Sequence, residues 1–206
     1  VAAALWLVGP CGYLVVEKVA AANVKGEYSY LHHYISGLGV PEWGRFAYLM
    51  NGAFYLQGVL LFAGAVLVTR AAERRGAVFL LFTAAASVGY FLVATVHGGS
   101  PLAADKGMQW HGVGATLAFI GGNAAIAAGS SIVASAVDAR RWYRAVSLLV
   151  AGVGFAAFLA LANYDAWTYR YAPVGLVERV PVYSILAWQV FSAVVLLTRP
   201  ASRDGS

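Results

Sequence analysis

Few side chains in this sequence can do chemistry, and most of them cluster at the ends of apolar runs. His97 and His111 bracket the short polar link GGSPLAADKGMQW between two such runs, so they face each other across the mouth of a hairpin. Two imidazoles so placed offer a metal pair, a bis-His haem or an acid/base site. Zinc usually takes three or four N, S or O ligands, and no third ligand stands at a diagnostic spacing here. We therefore expect no metal and no cofactor. The plainer reading is that each ring hydrogen-bonds backbone or water at a membrane interface.

Glu17 lies inside an apolar run, where an ionised group costs a few kcal/mol and usually faces a bundle interior with a partner. It is also close to the end of that run, so Glu17 and Lys18 could snorkel to the headgroups instead. Asp165, Glu178 and Arg179 fall in the last polar link, where Glu178 and Arg179 form either a structural ion pair or an anchor for an anionic headgroup. Asn123 is the deepest amide. The candidate catalytic residues are thus His111, Glu178, Asp165 and Glu17, with His97, Asn123, Arg179, His33 and Trp110 as candidates for holding a substrate.

The elements that must carry these groups are membrane helices. Of 206 residues, 61% are hydrophobic and only 11% charged, which is not the composition of a soluble globule. About 20 mostly apolar residues span the hydrocarbon. Six such runs are expected, over Val1–Ala22, Arg45–Thr69, Gly76–His97, Trp110–Ala136, Arg144–Asn163 and Pro181–Thr198. The fold class is therefore all-α, a six-helix transmembrane bundle forming one integral membrane domain over residues 1–206. The first run has neither the charged region nor the small-residue cleavage site of a secretory signal and is read as a spanning helix. Cys11 is the single cysteine, so no intrachain disulfide or cysteine metal cluster is available. The net charge of +5 comes from residues scattered at helix ends, which argues against nucleic acid and for topology signals.

Up-and-down alternation puts Arg70, Arg74, Arg75, Arg140, Arg141, Arg144, Arg199 and Arg203 on one side and Lys25, Arg45, Lys106, Arg170 and Arg179 on the other. The positive-inside rule makes the first set cytoplasmic, with both termini inside a plasma membrane. All four histidines and most acids then lie at the outer surface, as do Asn51, Gln57, Asn163 and Gln189 in outer helix halves. The bundle resembles a cup open outward and closed below by aliphatic packing. Gly114, Ala118 and Gly122, with Gly121, Ala125 and Gly129 beside them, give helix 4 faces for close packing, and Gly152, Ala156 and Ala160 do so on helix 5. Leu31, Tyr34, Ile35 and Leu38 recur at helical spacing, which predicts a short interfacial helix between helices 1 and 2. With the segment before helix 6, it would form a lid.

The motifs YSYLHHYISGLG, NGAFYLQGVLLFAGA, HGVGATLAFIGGNAAIAAG and GLVERVPVYSILAWQ, in that order over most of the chain, resemble the domain-of-unknown-function 998 family of multi-pass membrane proteins. In that family's pattern an Asn more often stands at the position of His33 and an acidic residue at that of Gly37, whereas His111, Asn123, Glu178 and Arg179 match. The resemblance implies a six-helix membrane fold and carries no general activity.

Tyr28, Tyr30, Tyr34, Trp43, Trp110, Tyr164, Trp167, Tyr169 and Tyr171 crowd the same level. An interfacial belt accounts for most of them. Aromatic faces stabilise a cation, and beside a proton-donating carboxylic acid they suit cyclisation of an isoprenoid. The leading expectation is a membrane-embedded enzyme or binding protein handling a lipid or isoprenoid at the outer leaflet. The alternative is a non-catalytic accessory subunit with other membrane subunits as partners; an ion or proton carrier ranks behind both. The topology is testable directly: cysteines at positions 72 and 139 should resist an impermeant thiol reagent in intact cells while one at position 104 reacts, and labelling at 72 but not at 104 would invert the orientation.

Overall fold

A computed structural model describes residues 1–73, 75–104, 107–136, 140–164 and 172–198, and among them the chain is all-α. Six helices are long and apolar enough to cross a membrane: α1 (Ala2–Ala21), α2 (Ala47–Ala71), α3 (Ala77–Thr95), α4 (Met108–Ala136), α5 (Arg140–Ala162) and α6 (Val174–Leu197). The protein is a multi-pass membrane protein. Neighbours in sequence pack together, α1 also meets α6, and α4 reaches α2 and α6 across the bundle. Helices α1, α2, α3, α4 and α6 thus close a ring, with α5 outside it against α4 and α6. Of the most apolar stretch of α4, 67% is buried, against 17% of that of α5, so α4 is central and α5 faces mostly lipid.

Lipid tails are as apolar as leucine, so helices in a bilayer associate by close backbone approach. The tightest seam joins α3 to α4. A methyl group on Gly89 would strike the backbone of Gly114 and Ala118, and one on Gly121 the backbone of Ala86 and Phe82. Gly122 faces Ile185 of α6 instead. Seven residues return a helix to within about 20° of its starting face and eight overshoot by about 80°, so Gly121 continues the row begun by Gly114 and Gly122 leaves it. On α5 the expected packing face is corrected: nothing approaches Gly152, whereas Gly154 seats the Asn123 side chain of α4.

Further expectations are revised. Helix α6 begins at Val174, seven residues before the proline taken to start it, and Pro181 is inside the helix. Glu178 and Arg179 are consequently helical and belong to no link. Proline costs a helix one N–H bond and crowds the preceding turn, and here Asn123 Nδ2 donates to the Pro181 carbonyl (3.2 Å), tying the disturbed turn to α4. The longer α6 also moves Gln189 past the helix midpoint, where its amide accepts a hydrogen bond from Gln57. Lower still, Tyr143 and Ser192 share a hydrogen bond (2.6 Å) and Trp188 donates to Ser147 (3.0 Å), so the half below the cup is not purely aliphatic.

The segment between α1 and α2 forms a cap closed at its neck by a bridge between Val24 and Gly44. Its only helical turn among the described residues is a 3-10 turn at Ser36–Gly39. Ile35 and Leu38 are buried as the periodicity required, but Leu31 and Tyr34 are exposed. The cap is not a regular helix because its backbone groups pair with α6: the Tyr30 and His33 carbonyls accept from Arg179, the Leu31 carbonyl accepts from Leu176 N–H, and Ile35 N–H donates to Glu178.

The seam gives a paired prediction. Gly89→Ala should cost about 1–3 kcal/mol through overpacking and lower the thermal midpoint in detergent, while Gly152→Ala, which meets nothing and gains helix propensity, should leave it unchanged or slightly raised. Equal tolerance of both would show that α3 and α4 do not approach so closely.

Candidate functional site

Arg179 organises the capped end of the bundle. The residue is 3% exposed. It bonds Glu17 of α1 through Nε (3.2 Å) and Nη2 (3.1 Å). Nη1 donates to the carbonyls of Tyr30 (2.7 Å), His33 (2.8 Å) and Gly175 (3.0 Å), and Nη2 donates to the Tyr28 hydroxyl. The guanidinium also lies 4.9 Å from the centre of the Tyr30 ring. Glu17, 2% exposed, accepts a further hydrogen bond from Tyr183 (2.9 Å). Burial pushes the Tyr28 phenol up to about 12, although Arg179 pulls the other way. It therefore stays neutral, accepting from Arg179 and donating to the Tyr34 carbonyl (3.1 Å).

This corrects the expected Glu178–Arg179 pair. Adjacent residues of a helix do not face each other, and α6 turns Arg179 toward α1 while Glu178 turns under the cap. Glu17 does not snorkel, since its carboxylate is held between Arg179 and Tyr183 inside the protein. With these donors committed, Arg179 and Glu17 form a staple between the first helix, the last helix and the cap.

Glu178 serves a different space. Its Oε2 accepts from Ile35 N–H, and its carboxyl lines a cavity of about 30 Å³ with Tyr13, Ser36, Phe54, Tyr90, His111 and Phe119. That is room for roughly two water molecules. His111 Nδ1 lies 2.7 Å from the Val96 carbonyl. A carbonyl can only accept, so Nδ1 carries a proton and the neutral ring keeps its lone pair on Nε2. The site therefore brings a carboxyl, an imidazole and four aromatic rings around one small volume, a constellation able to hand a proton across it.

Of the other candidates, His97 lies beside His111 but donates from Nδ1 to the Gly98 carbonyl (2.8 Å), and it does not line the cavity. Asn123 is fully buried outside it, donating to the Phe119 (2.9 Å) and Pro181 carbonyls. His33 accepts from Ser29 N–H (3.1 Å) and packs against Tyr28 and Trp43 on the flank of the cap. Trp110 is 60% exposed. Asp165 lies outside the described residues. Among those residues no group of three or more His, Cys, Asp or Glu side chains is arranged to hold a metal ion.

Sequence reasoning missed Tyr13 and Tyr90. Both hydroxyls are buried in the cavity wall without a hydrogen bond of good geometry, Tyr90 standing next to Gln57. The available signal was spacing: Tyr13 precedes Glu17 by four residues, which places both on one face of α1.

The family model described as "Protein of unknown function (DUF998)" matches residues 7–195, a stretch that includes every residue of the staple and the cavity. No curated protein and no solved structure matches the chain.

Removing one partner of a buried ion pair leaves a charge without compensation and costs about 3–5 kcal/mol. Glu17→Gln or Arg179→Gln alone should therefore destabilise strongly and expose the Tyr28–Gly39 segment to protease. The double variant should lose clearly less than the sum of the two, as read by thermal unfolding in detergent; additive losses would show that the two side chains do not form a coupled pair.

Proposed function

Because the chain belongs to the DUF998 family, whose description names no activity, we propose a function from the cavity: a membrane-embedded protein that takes a lipid or isoprenoid group at the outer leaflet and exchanges a proton with it through Glu178 and His111. The observation that carries this reading is that these two side chains, far apart in sequence, line one aromatic-walled cavity. In this reading the cup opens outward from a plasma membrane, with both termini cytoplasmic.

The chemistry suited to such walls is isomerisation or cyclisation of an isoprenoid. Glu178 gives its proton to a carbon–carbon double bond, leaving a carbocation. The faces of Tyr13, Phe54, Tyr90 and Phe119 stabilise that cation. His111 Nε2 then takes a proton from the carbon next to the rearranged cation, which restores a double bond, and proton return from His111 to Glu178 resets the site. Atoms and charge balance with no co-reactant. A cavity of about 30 Å³ admits an isoprenoid only if the cap lifts, and the hydrogen bond from Ile35 to Glu178 makes the proton donor itself part of the latch.

The second reading, an accessory subunit of a larger membrane complex, is favoured by the small-residue row Gly152, Ala156 and Ala160. Gly152 and Ala156 are exposed on α5, and nothing packs on Gly152. Purification from native membranes separates the two. The enzyme or binder should emerge as a monomer carrying a lipid or isoprenoid identifiable by mass spectrometry. Glu178→Gln and His111→Ala should lose turnover of that molecule by about 10²-fold or more while each still purifies as a folded, monodisperse species in detergent. A stoichiometric protein partner with no retained lipid would instead establish the subunit.

A further inference from the structure

At the end of the bundle away from the cap, α4 and α5 line a groove of about 430 Å³ with Ser131, Ala134, Ser135, Arg141, Arg144, Ala145 and Leu148. The α5 residues recur at spacings of three and four, so they share one face of that helix. The opposite face is fastened to α6, where Tyr143 bonds Ser192 and Ser147 accepts from Trp188. With Tyr143 and Ser147 fully buried, α5 cannot turn its arginines away from the groove. Arg141 and Arg144 thus stand one turn apart above an apolar floor. Among the described residues neither has an ion-pair or hydrogen-bond partner; the ion pair that does form is Arg179 with Glu17 at the other end.

We infer that this groove binds the headgroup of an anionic phospholipid, its phosphate held by Arg141 and Arg144 and its upper acyl chain lying along Ala145 and Leu148. Guanidinium groups match phosphate oxygens in a bidentate geometry and are the side chains suited to the task. Trp142, half exposed between the two arginines, marks headgroup depth, where tryptophan is enriched. The apolar floor decides for a lipid over a free anion: Leu148 continues into the exposed row of Leu149 and Val153 down α5, so a chain leaving the groove passes directly onto the lipid-facing surface. This site shares no residue with the cavity beneath the cap and stands whether or not that cavity is catalytic.

Native mass spectrometry of the full chain, taken from nanodiscs of phosphatidylcholine alone and of phosphatidylcholine mixed with phosphatidylglycerol, tests the assignment. Wild type should retain phosphatidylglycerol in preference to phosphatidylcholine. Arg141→Gln/Arg144→Gln should weaken that retention by about tenfold or more. Ala145→Trp, which keeps both charges and fills the groove, should weaken it comparably and keeps the test decisive if the arginine variant does not fold. Arg70→Gln/Arg75→Gln, which removes the same charge at the same end of the bundle, should retain the lipid. Loss of equal size in that control would mean diffuse attraction to an anionic surface and would overturn the site. Equal retention of the two lipids would overturn it as well, and displacement of phosphatidylglycerol by inorganic phosphate would assign the groove to a free anion.

Discussion

A bilayer offers no hydrogen bonds, so every polar group drawn into this bundle has to be satisfied by the chain itself. The guanidinium of Arg179 meets that demand for three parts of the molecule at once. It neutralises Glu17 on α1, adds a side-chain hydrogen bond to the carbonyl of Gly175 in its own helix, and supplies donors to the Tyr30 and His33 carbonyls of the cap. One side chain therefore sets the approach of α1 to α6 and the position of the cap above both. The cavity exists because that cap is held down, and Glu178 enters it because its neighbour is turned the other way.

The helices were legible in the sequence because a span of hydrocarbon needs a long apolar run, and six such runs leave little room for another fold. The level of the polar site was legible too, since Glu17, His111 and Glu178 all sit within a turn or two of a helix end. Which of them would meet was not. Glu178 and Arg179 are adjacent in sequence and invite pairing, but helical geometry points them at different partners, and the identity of those partners depends on which helices close the ring. Pro181 concealed the true start of α6 because proline usually opens a helix; here a contact from Asn123 supports the turn it disturbs. The cap's helical spacing misled for a related reason: periodicity reports where apolar side chains fall and does not report that the backbone between them is claimed by α6.

Close packing and polar chemistry occupy different seams. The α3–α4 seam, built on Gly89, Gly114 and Gly121, brings two backbones into contact and leaves no room for polar side chains. The space under the cap is lined from α1, α2, α3, α4 and α6, where larger residues hold the helices apart. Tyr13, Phe54, Tyr90 and Phe119 are both the spacers and the walls.

The staple between Glu17 and Arg179 also constrains how the protein is made. The two residues are 162 positions apart, and at ribosomal rates of about 5–20 residues per second the carboxyl precedes its arginine by roughly ten to thirty seconds. Over that interval α1 must wait with its acid turned to water, to lipid headgroups or to the insertion machinery. The contact of the first helix with the last, which closes the ring, thus forms only once the last one arrives. A chain that stops short of α6 presents an unmatched carboxyl within the membrane, a mark by which quality control can tell an unfinished copy from a finished one.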